Sequence, residues 1–297
     1  MKIGKKTGIK ESWDNKIFFA VVLIIILAIT AMCIIPFIYL LAISLSDYNS
    51  VIRGEVFLIP KGLNLKVYKN IVEGGTLVAA MIRTIILTFS YVIFSLVMTI
   101  LCAYPLSVSD LKGKKLIIPF VMFTMYFSGG LIPNYLLINN LGLIDSYWAL
   151  ILPGAISTYN MIVMRTFFAS IPVSLKEAAL IDGAGDVTIL LKIILPLSKA
   201  SLATITLFYA VAKWNSYQDA LMYINDPNKA VLQIRLKDMV KSASEINEIL
   251  MEGGKIELPL QTARAGAIIF SLIPVMIVYP FLQKYFIKGT MIGSVKG

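Results

Sequence analysis

The sequence of 297 residues contains no histidine, and no stretch of it forms a phosphate-binding loop. Histidine is the commonest general base and a frequent metal ligand, so its absence argues against acid–base catalysis and a histidine-ligated metal site. A Gly-x-x-x-x-Gly-Lys-Ser/Thr segment, which would cradle nucleotide phosphates, is also missing. We therefore expect no catalytic residue, no metal site and no cofactor bound by this chain.

Cysteine and charge are scarce as well. Cys33 and Cys102 both lie inside apolar runs, where a buried reduced thiol is the ordinary state, and we assign them no role. Charged residues make up 15% of the chain and hydrophobic residues 58%, with a mean hydropathy of +0.82. This composition is far more apolar than that of a soluble domain and indicates a protein that crosses the membrane several times.

Six apolar runs are long enough to span a hydrocarbon core, which takes roughly 20 helical residues. The first follows basic residues but lacks a small-residue cleavage site, so we predict a retained first span and not a signal peptide. The sequence thus predicts an all-α membrane protein with six transmembrane helices, a tail of residues 1–16 and one transmembrane domain of residues 17–297. The predicted spans cover residues 17–46, 76–107, 116–138, 147–169, 197–222 and 265–283.

The short loops predict the orientation. The hairpin at 110–115 carries Lys112, Lys114 and Lys115, whereas the hairpin at 139–146 carries no cation. The positive-inside rule therefore places both termini in the cytoplasm. We interpret the formal charge of +10 as facing anionic lipid at the inner surface, and we do not expect nucleic acid as a partner.

The polar segment 171–196 faces that basic side and predicts a helix, a turn and a second helix. Ser174 and Glu177 have the spacing of a capping box, in which each side chain satisfies a free backbone N–H. Gly183 then allows the chain to reverse, and Asp186 is placed to cap the second helix. Small side chains at Ala178 and Ala179, flanked by the charges of Glu177 and Asp182, would let another protein approach closely.

The pattern Glu-Ala-Ala, three residues, Gly, nine residues and Ile-x-Leu-Pro resembles the coupling motif of the permease subunits of bacterial ABC importers. The alternative is an amphipathic cytoplasmic loop without a partner. The resemblance implies the permease fold of type I importers, with a cytoplasmic coupling helix that docks on an ATPase. The matching positions are Glu177, Ala178, Ala179, Gly183, Ile193, Leu195 and Pro196.

Segments upstream and downstream resemble the carbohydrate branch of this family, the maltose-type permeases that import oligosaccharides. The resemblance implies that the outer loop 223–264 reaches an extracellular binding protein and that the tail 284–297 contacts the ATPase dimer. Its glycines predict an extended tail. The implied partners in the bacterial cell membrane are a second permease subunit, two ATPase subunits that hold ATP and Mg, the binding protein and lipid.

Polar residues in two predicted spans are candidates for the substrate pathway. Asn215, Gln218, Asp219 and Met222 have the spacing of one helical face, and amides beside aromatic rings suit a hydroxyl-rich ligand. The alternative is that the rings belong to the outer aromatic belt and the amides join helices. The candidates are Tyr159, Asn160, Trp214, Asn215, Tyr217 and Gln218.

Two further features leave alternatives open. The sequence Ser128-Gly129-Gly130 permits either a helix interruption beside a water-filled path or close packing of helices through small residues. The cargo of such a permease could also be a polyamine or phosphate. A secondary transporter, the rival from another class, would need intramembrane carboxylates on several spans, and the span interiors here are nearly free of them.

Overall fold

A computed structural model describes the backbone of residues 13–241 and 260–294, and the side chains of residues 13–239 and 260–280. Every regular element within these residues is helical, which confirms the all-α prediction. The helices are α1 Trp13–Ser44, α2 Tyr48–Ile52, α3 Lys66–Gly74, α4 Thr76–Ser107, α5 Lys114–Phe123, α6 Leu131–Asn140, α7 Trp148–Ile151, α8 Thr158–Ala169, α9 Val173–Ile181, α10 Asp186–Ile189, a π-helix Leu190–Ile194, α11 Leu195–Leu197, α12 Lys199–Trp214, α13 Gln218–Tyr223, a 3₁₀ helix Pro227–Lys229, α14 Leu232–Lys241 and α15 Leu260–Ser294.

The chain forms two compact units, one holding the described residues of Met1–Asn70 and Lys255–Phe270. The long helix α1 of this unit exposes almost all of its apolar side chains, as a lipid-facing or partner-facing helix does. The loop after α1 is ordered by Asp47, whose carboxylate accepts hydrogen bonds from the backbone N–H groups of Asn49 and Ser50 and so caps α2. A hydrogen bond with the Ser50 side chain, and then these backbone bonds, hold the pKa of Asp47 below its usual value.

The second unit holds the described residues of Ile71–Gly254 and Ser271–Gly297 and is built around α4. α8 and α12 pack along α4, and Met164, Phe168 and Ile205 are fully buried between these helices. The buried hydroxyl of Tyr209 lies 2.7 Å from Thr99 Oγ1 and accepts a hydrogen bond from the Ser157 backbone N–H. Burying these polar groups in pairs avoids the cost of an unsatisfied donor in an apolar interior.

Three of the predicted spans are broken helices. The run 116–138 forms α5 and α6 with a non-helical stretch at 124–130, 147–169 forms α7 and α8, and 197–222 forms α12 and α13. By length and composition, three helices of the described residues can cross a membrane, namely α1, α4 and Leu260–Pro280, or up to four if Asp186–Leu197 and Lys199–Trp214, bent by 83°, form one span. The count of six spans therefore stays a prediction.

The prediction of an extended tail is wrong for residues 284–294, because α15 continues to Ser294. Gly289 and Gly293 cost roughly 0.5–1 kcal/mol each relative to alanine within a helix. Extending an existing helix avoids the nucleation step, however, so two glycines need not end it. Residues 295–297, like residues 242–259 of the predicted outer loop, lie outside the described part of the chain.

Candidate functional site

The predicted coupling segment is the polar segment 171–196. Its first helix is α9, which begins at Val173 after Pro172. The predicted capping box is wrong, since the helix starts one residue before Ser174 and no side chain caps it. The cap predicted at Asp186 is also wrong, because Gly185 occupies the capping position of α10. Asp186 lies instead in the first turn, where its charge complements the helix dipole.

The predicted reversal at Gly183 is confirmed, since this residue has a φ of +80°. The Gly183 N–H donates to the carbonyl of Leu180 at 3.0 Å, and the Ala184 N–H donates to that of Ala179 at 2.9 Å. These bonds satisfy carbonyls that the end of α9 would otherwise leave free. A residue with a Cβ reaches this left-handed conformation only at a cost of roughly 1–2 kcal/mol.

We expect Gly183→Val to reduce transport activity sharply, because valine at positive φ would reorient the turn between α9 and α10. A Cβ at this position would meet no atom within 4 Å, so any defect arises from the backbone conformation and not from a clash. Gly185→Ala is the matched control, since Gly185 has a φ of −76° and equally open surroundings. Solute uptake by both variants in membrane vesicles checks the prediction, and equal activity would contradict it.

The outward surface of α9 is apolar and unusually exposed, and none of its residues is buried. Leu180 is 55% exposed and Ile181 is 86% exposed. Ala178 is exposed beside them, whereas Ala179 is half-buried against the core of its own unit. The two alanines therefore differ in role, and Ala178 is the one that another protein can contact. Glu177 and Asp182 are both exposed on the same short segment.

The base of the coupling segment is anchored in the core. Ile189 and Ile194 are buried, and the Tyr104 hydroxyl of α4 donates to the carbonyl of Asp186 at 3.4 Å. Pro196 lacks an N–H, so the α-helical bond it would donate four residues back is missing, and a π-helical turn lies directly before it. The coupling segment is therefore attached to α4 through Asp186 and to the core through Ile189 and Ile194. Of the remaining motif residues, Ile193 and Leu195 are half-buried and Pro196 is exposed.

A basic surface lies beside this segment. Burial lowers the pKa of the half-buried Lys176 in α9, and the neighbouring charge of Lys114 lowers it further. Lys114 belongs to the basic hairpin that the positive-inside rule places in the cytoplasm, and its ammonium donates to the carbonyl of Val108 at 2.7 Å. The hairpin and α9 thus present positive charge together.

A second candidate region is a cavity of about 450 Å³ among the broken helices. Ser128 at the break between α5 and α6, Pro153 after α7, and Gln218 and Asp219 at the start of α13 all line it. Proteins hold small ligands in cavities of roughly 300–1,000 Å³. The prediction of an interruption at Ser128-Gly129-Gly130 is confirmed, and the freed backbone lies beside an open space, as such breaks require.

The predicted pathway residues are not brought together, and Gln218 alone among them lines the cavity. Of the four residues predicted to share a helical face, Gln218, Asp219 and Met222 lie on α13 and line the cavity. Asn215 does not share this face, because α12 ends at Trp214 and Asn215 caps it by donating from Nδ2 to the carbonyl of Val211. The other candidates have different surroundings. Tyr159 is exposed and its ring lies near that of Phe208, and Asn160 is buried. The Trp214 carbonyl accepts a hydrogen bond from Gln233, and the ring of Tyr217 lies under the ammonium of Lys237.

Lys213, in the last turn of α12, is buried. Its Nζ donates to the carbonyl of Leu150 at 2.5 Å, lies 3.8 Å from Asp219 Oδ2, and is 4.6 Å from the centre of the Tyr91 ring. The Tyr91 hydroxyl in turn donates to the carbonyl of Gly154 at 2.6 Å. This group of contacts connects α4 with the breaks that follow α7 and α12.

Sequence reasoning missed a set of hydrogen bonds, here called the clamp, by which Asp145 between α6 and α7 holds the loop that follows α13. Asp145 has a φ of +60°, and its Oδ1 accepts from the N–H groups of Asn225 and Asp226 at 2.6 and 2.9 Å. The Lys229 ammonium donates to the Asp145 carbonyl at 2.7 Å, and Arg83 donates to the carbonyl of Asn228. Asp226 caps a short 3₁₀ turn at Pro227–Lys229, but nothing in the local sequence indicates a partner 80 residues upstream.

We expect Asp145→Ala to expose the amides of Asn225 and Asp226 to hydrogen exchange. The N–H groups of Asp226 and Asn225 hold the pKa of Asp145 below its usual value of 3.8, so the clamp is complete above that value and is lost as pH falls through the lower, folded-state pKa. Protection in the native chain should therefore persist at pH 5. Asp110→Ala on the basic hairpin is the matched control, and unchanged exchange in Asp145→Ala would refute the clamp.

Comparison with known proteins gives one family match and a set of full-length relatives. The sequence model described as "Binding-protein-dependent transport system inner membrane component" matches residues 74–291. The chain is 40% identical over 284 residues to the polygalacturonan/rhamnogalacturonan transport system permease protein YtcP of Bacillus subtilis, covering 95% of this chain and 99% of the relative. It is 29% identical to the trehalose/maltose transport system permease protein MalG of Thermococcus litoralis, covering 89% and 92%.

The fold also resembles a chain of a solved structure. That structure is described as a bacterial ABC transporter involved in the import of the acidic polysaccharide alginate. The TM-score is 0.86 at 33% sequence identity, and the match covers 93% of this chain and 99% of the other. The likeness therefore extends over nearly the whole chain.

Proposed function

Because the chain belongs to the family of binding-protein-dependent transport system inner membrane components, we propose that it is a permease subunit that imports a carbohydrate, in particular an oligosaccharide. Members of this family are membrane subunits of ABC importers and not enzymes. The observation that carries the proposal is the coupling segment, in which the exposed helix α9 is followed by residues that are buried in the core. The longest helices of the described chain are also long and apolar enough to cross a membrane.

The carbohydrate assignment is supported by the relatives and by the cavity. Relatives named for a substrate include permeases for polygalacturonan and rhamnogalacturonan, for arabinooligosaccharides, for trehalose and maltose, and for melibiose, raffinose and stachyose. The cavity offers a hydroxyl at Ser128 and amides at Asn134 and Gln218. Such groups both donate and accept, as a ligand rich in hydroxyl groups requires. A phosphate would instead need cations or several N–H donors, and the lining includes no cation among the described residues.

Transport would follow from movement of the coupling segment. ATP and Mg bind the partner ATPase subunits, whose closure moves α9 as a rigid element. The buried contacts of Ile189, Ile194 and Asp186 pass that movement to α4 and α12. The breaks around the cavity then change their relative positions, which switches access from one side of the membrane to the other.

The working assembly would contain a second permease subunit, two ATPase subunits and an extracellular binding protein, in the bacterial cell membrane. A single subunit of this size cannot enclose a sugar pathway, and the exposed apolar surface of α1 is free to face lipid or the second permease. The outer loop 223–264 would reach the binding protein. Both termini would lie in the cytoplasm, where the end of α15 would approach the ATPase dimer.

The function is tested by reconstituting this chain with the products of its neighbouring transport genes in proteoliposomes. We expect uptake of an oligosaccharide that requires ATP, the binding protein and the ATPase subunits. Polyamines and phosphate serve as competing solutes, and an ion gradient without ATP serves as the control for a secondary transporter. Uptake of a non-sugar solute alone, or uptake by this chain alone driven by the gradient, would contradict the proposal.

The orientation is tested with single cysteines in a chain lacking Cys33 and Cys102. We expect Asn49→Cys and Asn228→Cys to react with an impermeant thiol reagent from outside the cell, since both side chains are exposed. Lys112→Cys should not react. Lys112 is preferred to Gly113, whose φ of +81° would strain a cysteine. Labelling of Lys112→Cys in intact cells would reverse the predicted topology.

A further inference from the structure

We propose that Asp219 is a specificity-determining residue of the cavity, that Lys213 positions its carboxylate, and that the pair selects a neutral, hydroxyl-bearing sugar unit over a uronate. This inference rests on the proposed function and goes beyond it by naming the charge class of the substrate. It assigns the central role to Asp219, which the sequence placed on the same helical face as Gln218 without making it a candidate for substrate contact.

The location of the cavity supports a substrate site. Three interruptions of otherwise apolar helices meet at its wall, at Ser128–Gly130, at Pro153 and at the start of α13. Broken backbone within a membrane protein is stable only where its free polar groups meet protein or water. In membrane transporters, broken helices commonly form the substrate site for this reason.

The charge of the cavity supports a neutral ligand. Among the described residues that line it, Asp219 is the charged one, and the other polar side chains are the hydroxyl-bearing Ser128 and Tyr223 and the amides Asn134 and Gln218. The cation that balances Asp219 is the Lys213 ammonium, and it is buried. The Lys213 side chain is 5% exposed, whereas that of Asp219 is 50% exposed. A ligand in the cavity therefore meets the carboxylate and not the ammonium.

The geometry of the pair explains how the carboxylate is held. Lys213 Nζ lies 3.8 Å from Asp219 Oδ2, and the Ser216 hydroxyl donates to the same oxygen at 3.1 Å. Within the described part of the chain, both of these contacts are made to Oδ2. The other carboxylate oxygen, Oδ1, is therefore available to accept a hydrogen bond from a ligand. An ionised carboxylate accepts hydrogen bonds from hydroxyl groups more strongly than an amide does. Lys213 itself donates to the carbonyl of Leu150, which holds its ammonium on the buried side of the carboxylate.

The same carboxylate disfavours a uronate. A sugar acid at this position would bring a second carboxylate close to Asp219 in a partly enclosed space, and two carboxylates that share a site resist ionising together. A neutral sugar pays no such penalty and gains the hydroxyl contact. The chain would thus differ in substrate charge both from the relative named for polygalacturonan, which is a polymer of a sugar acid, and from the transporter of the acidic polysaccharide alginate whose fold it resembles.

The test measures binding to the assembled permease and ATPase complex without the binding protein, so that the selectivity of the binding protein does not contribute. The probes are maltotriose, trigalacturonate and the fully methyl-esterified trigalacturonate, which has the same sugar skeleton without the charge. We expect the ester to bind at least about tenfold more tightly than the free acid, and Asp219→Asn to bring this ratio close to one. Asp219→Asn should also weaken maltotriose binding, by about tenfold for one strong hydrogen bond.

Leu221→Ala is the control, because Leu221 lies on the same helix with an exposed side chain outside the cavity. If Asp219→Asn fails to assemble, the double variant Asp219→Asn/Lys213→Met removes both charges and permits the same comparison. Equal binding of acid and ester by the native complex, or an unchanged ratio in Asp219→Asn, overturns the selection by charge. Absence of binding and of uptake for all three sugars would instead overturn the proposed carbohydrate function, and this inference with it.

Discussion

Replacing Ala178 with tryptophan is expected to release the ATPase subunits from the permease and to abolish ATP-driven uptake. The methyl group of Ala178 lies on the exposed surface of α9, one helical turn before the exposed side chain of Ile181. An indole there would hold the partner several ångströms away from an apolar surface that depends on close contact for its energy. Because α9 has no buried residue, the substitution should not disturb the fold of the permease itself.

The measurement is co-purification of the ATPase with tagged permease, together with uptake and ATP hydrolysis in proteoliposomes. Ala178→Ser is the matched control, since it keeps the surface small, and we expect it to retain the ATPase. Ala179→Trp is a less direct test, because Ala179 packs partly against its own core and a large side chain there would also strain the permease. Full retention of the ATPase and normal uptake by Ala178→Trp would refute the coupling surface.

The sequence predicted best what depends on uninterrupted local pattern. The span at 76–107 has the bounds of α4, because an apolar run between Gly75 and a polar hairpin leaves the chain no alternative to a long helix. The turn at Gly183 was predictable for a similar reason, since glycine reaches a positive φ without strain. In both cases the information lies within a few residues of the feature.

Features that depend on distant partners could not be predicted. The breaks after α7 and α12 look like parts of continuous apolar runs, and they are stabilised by contacts such as that of Tyr91 with Gly154, 63 residues away. The capping box at Ser174 failed because Pro172 already sets the start of α9. The clamp of Asp145 and the cavity beside Asp219 each combine segments that are far apart in the chain.

The pair of Lys213 and Asp219 leads to a prediction about stability in which the two partners are not equivalent. The Lys213 side chain is 5% exposed and that of Asp219 is 50% exposed. Removing the carboxylate leaves a buried ammonium without a counter-ion, which typically costs about 3–5 kcal/mol. Removing the ammonium leaves a carboxylate that water already reaches, and this costs much less.

We therefore expect Asp219→Leu to reduce folded permease severely, Lys213→Met to reduce it mildly, and the double variant Asp219→Leu/Lys213→Met to recover most of what the first loses. The measurement is the fraction of detergent-solubilised permease complex that stays monodisperse after heating over a series of temperatures. Leu221→Asn on the exposed side of α13 controls for a change of polarity on that helix. If Asp219→Leu were as stable as the double variant, the buried charge would not need its partner, and Lys213 would be held by the carbonyl of Leu150 and the Tyr91 ring alone.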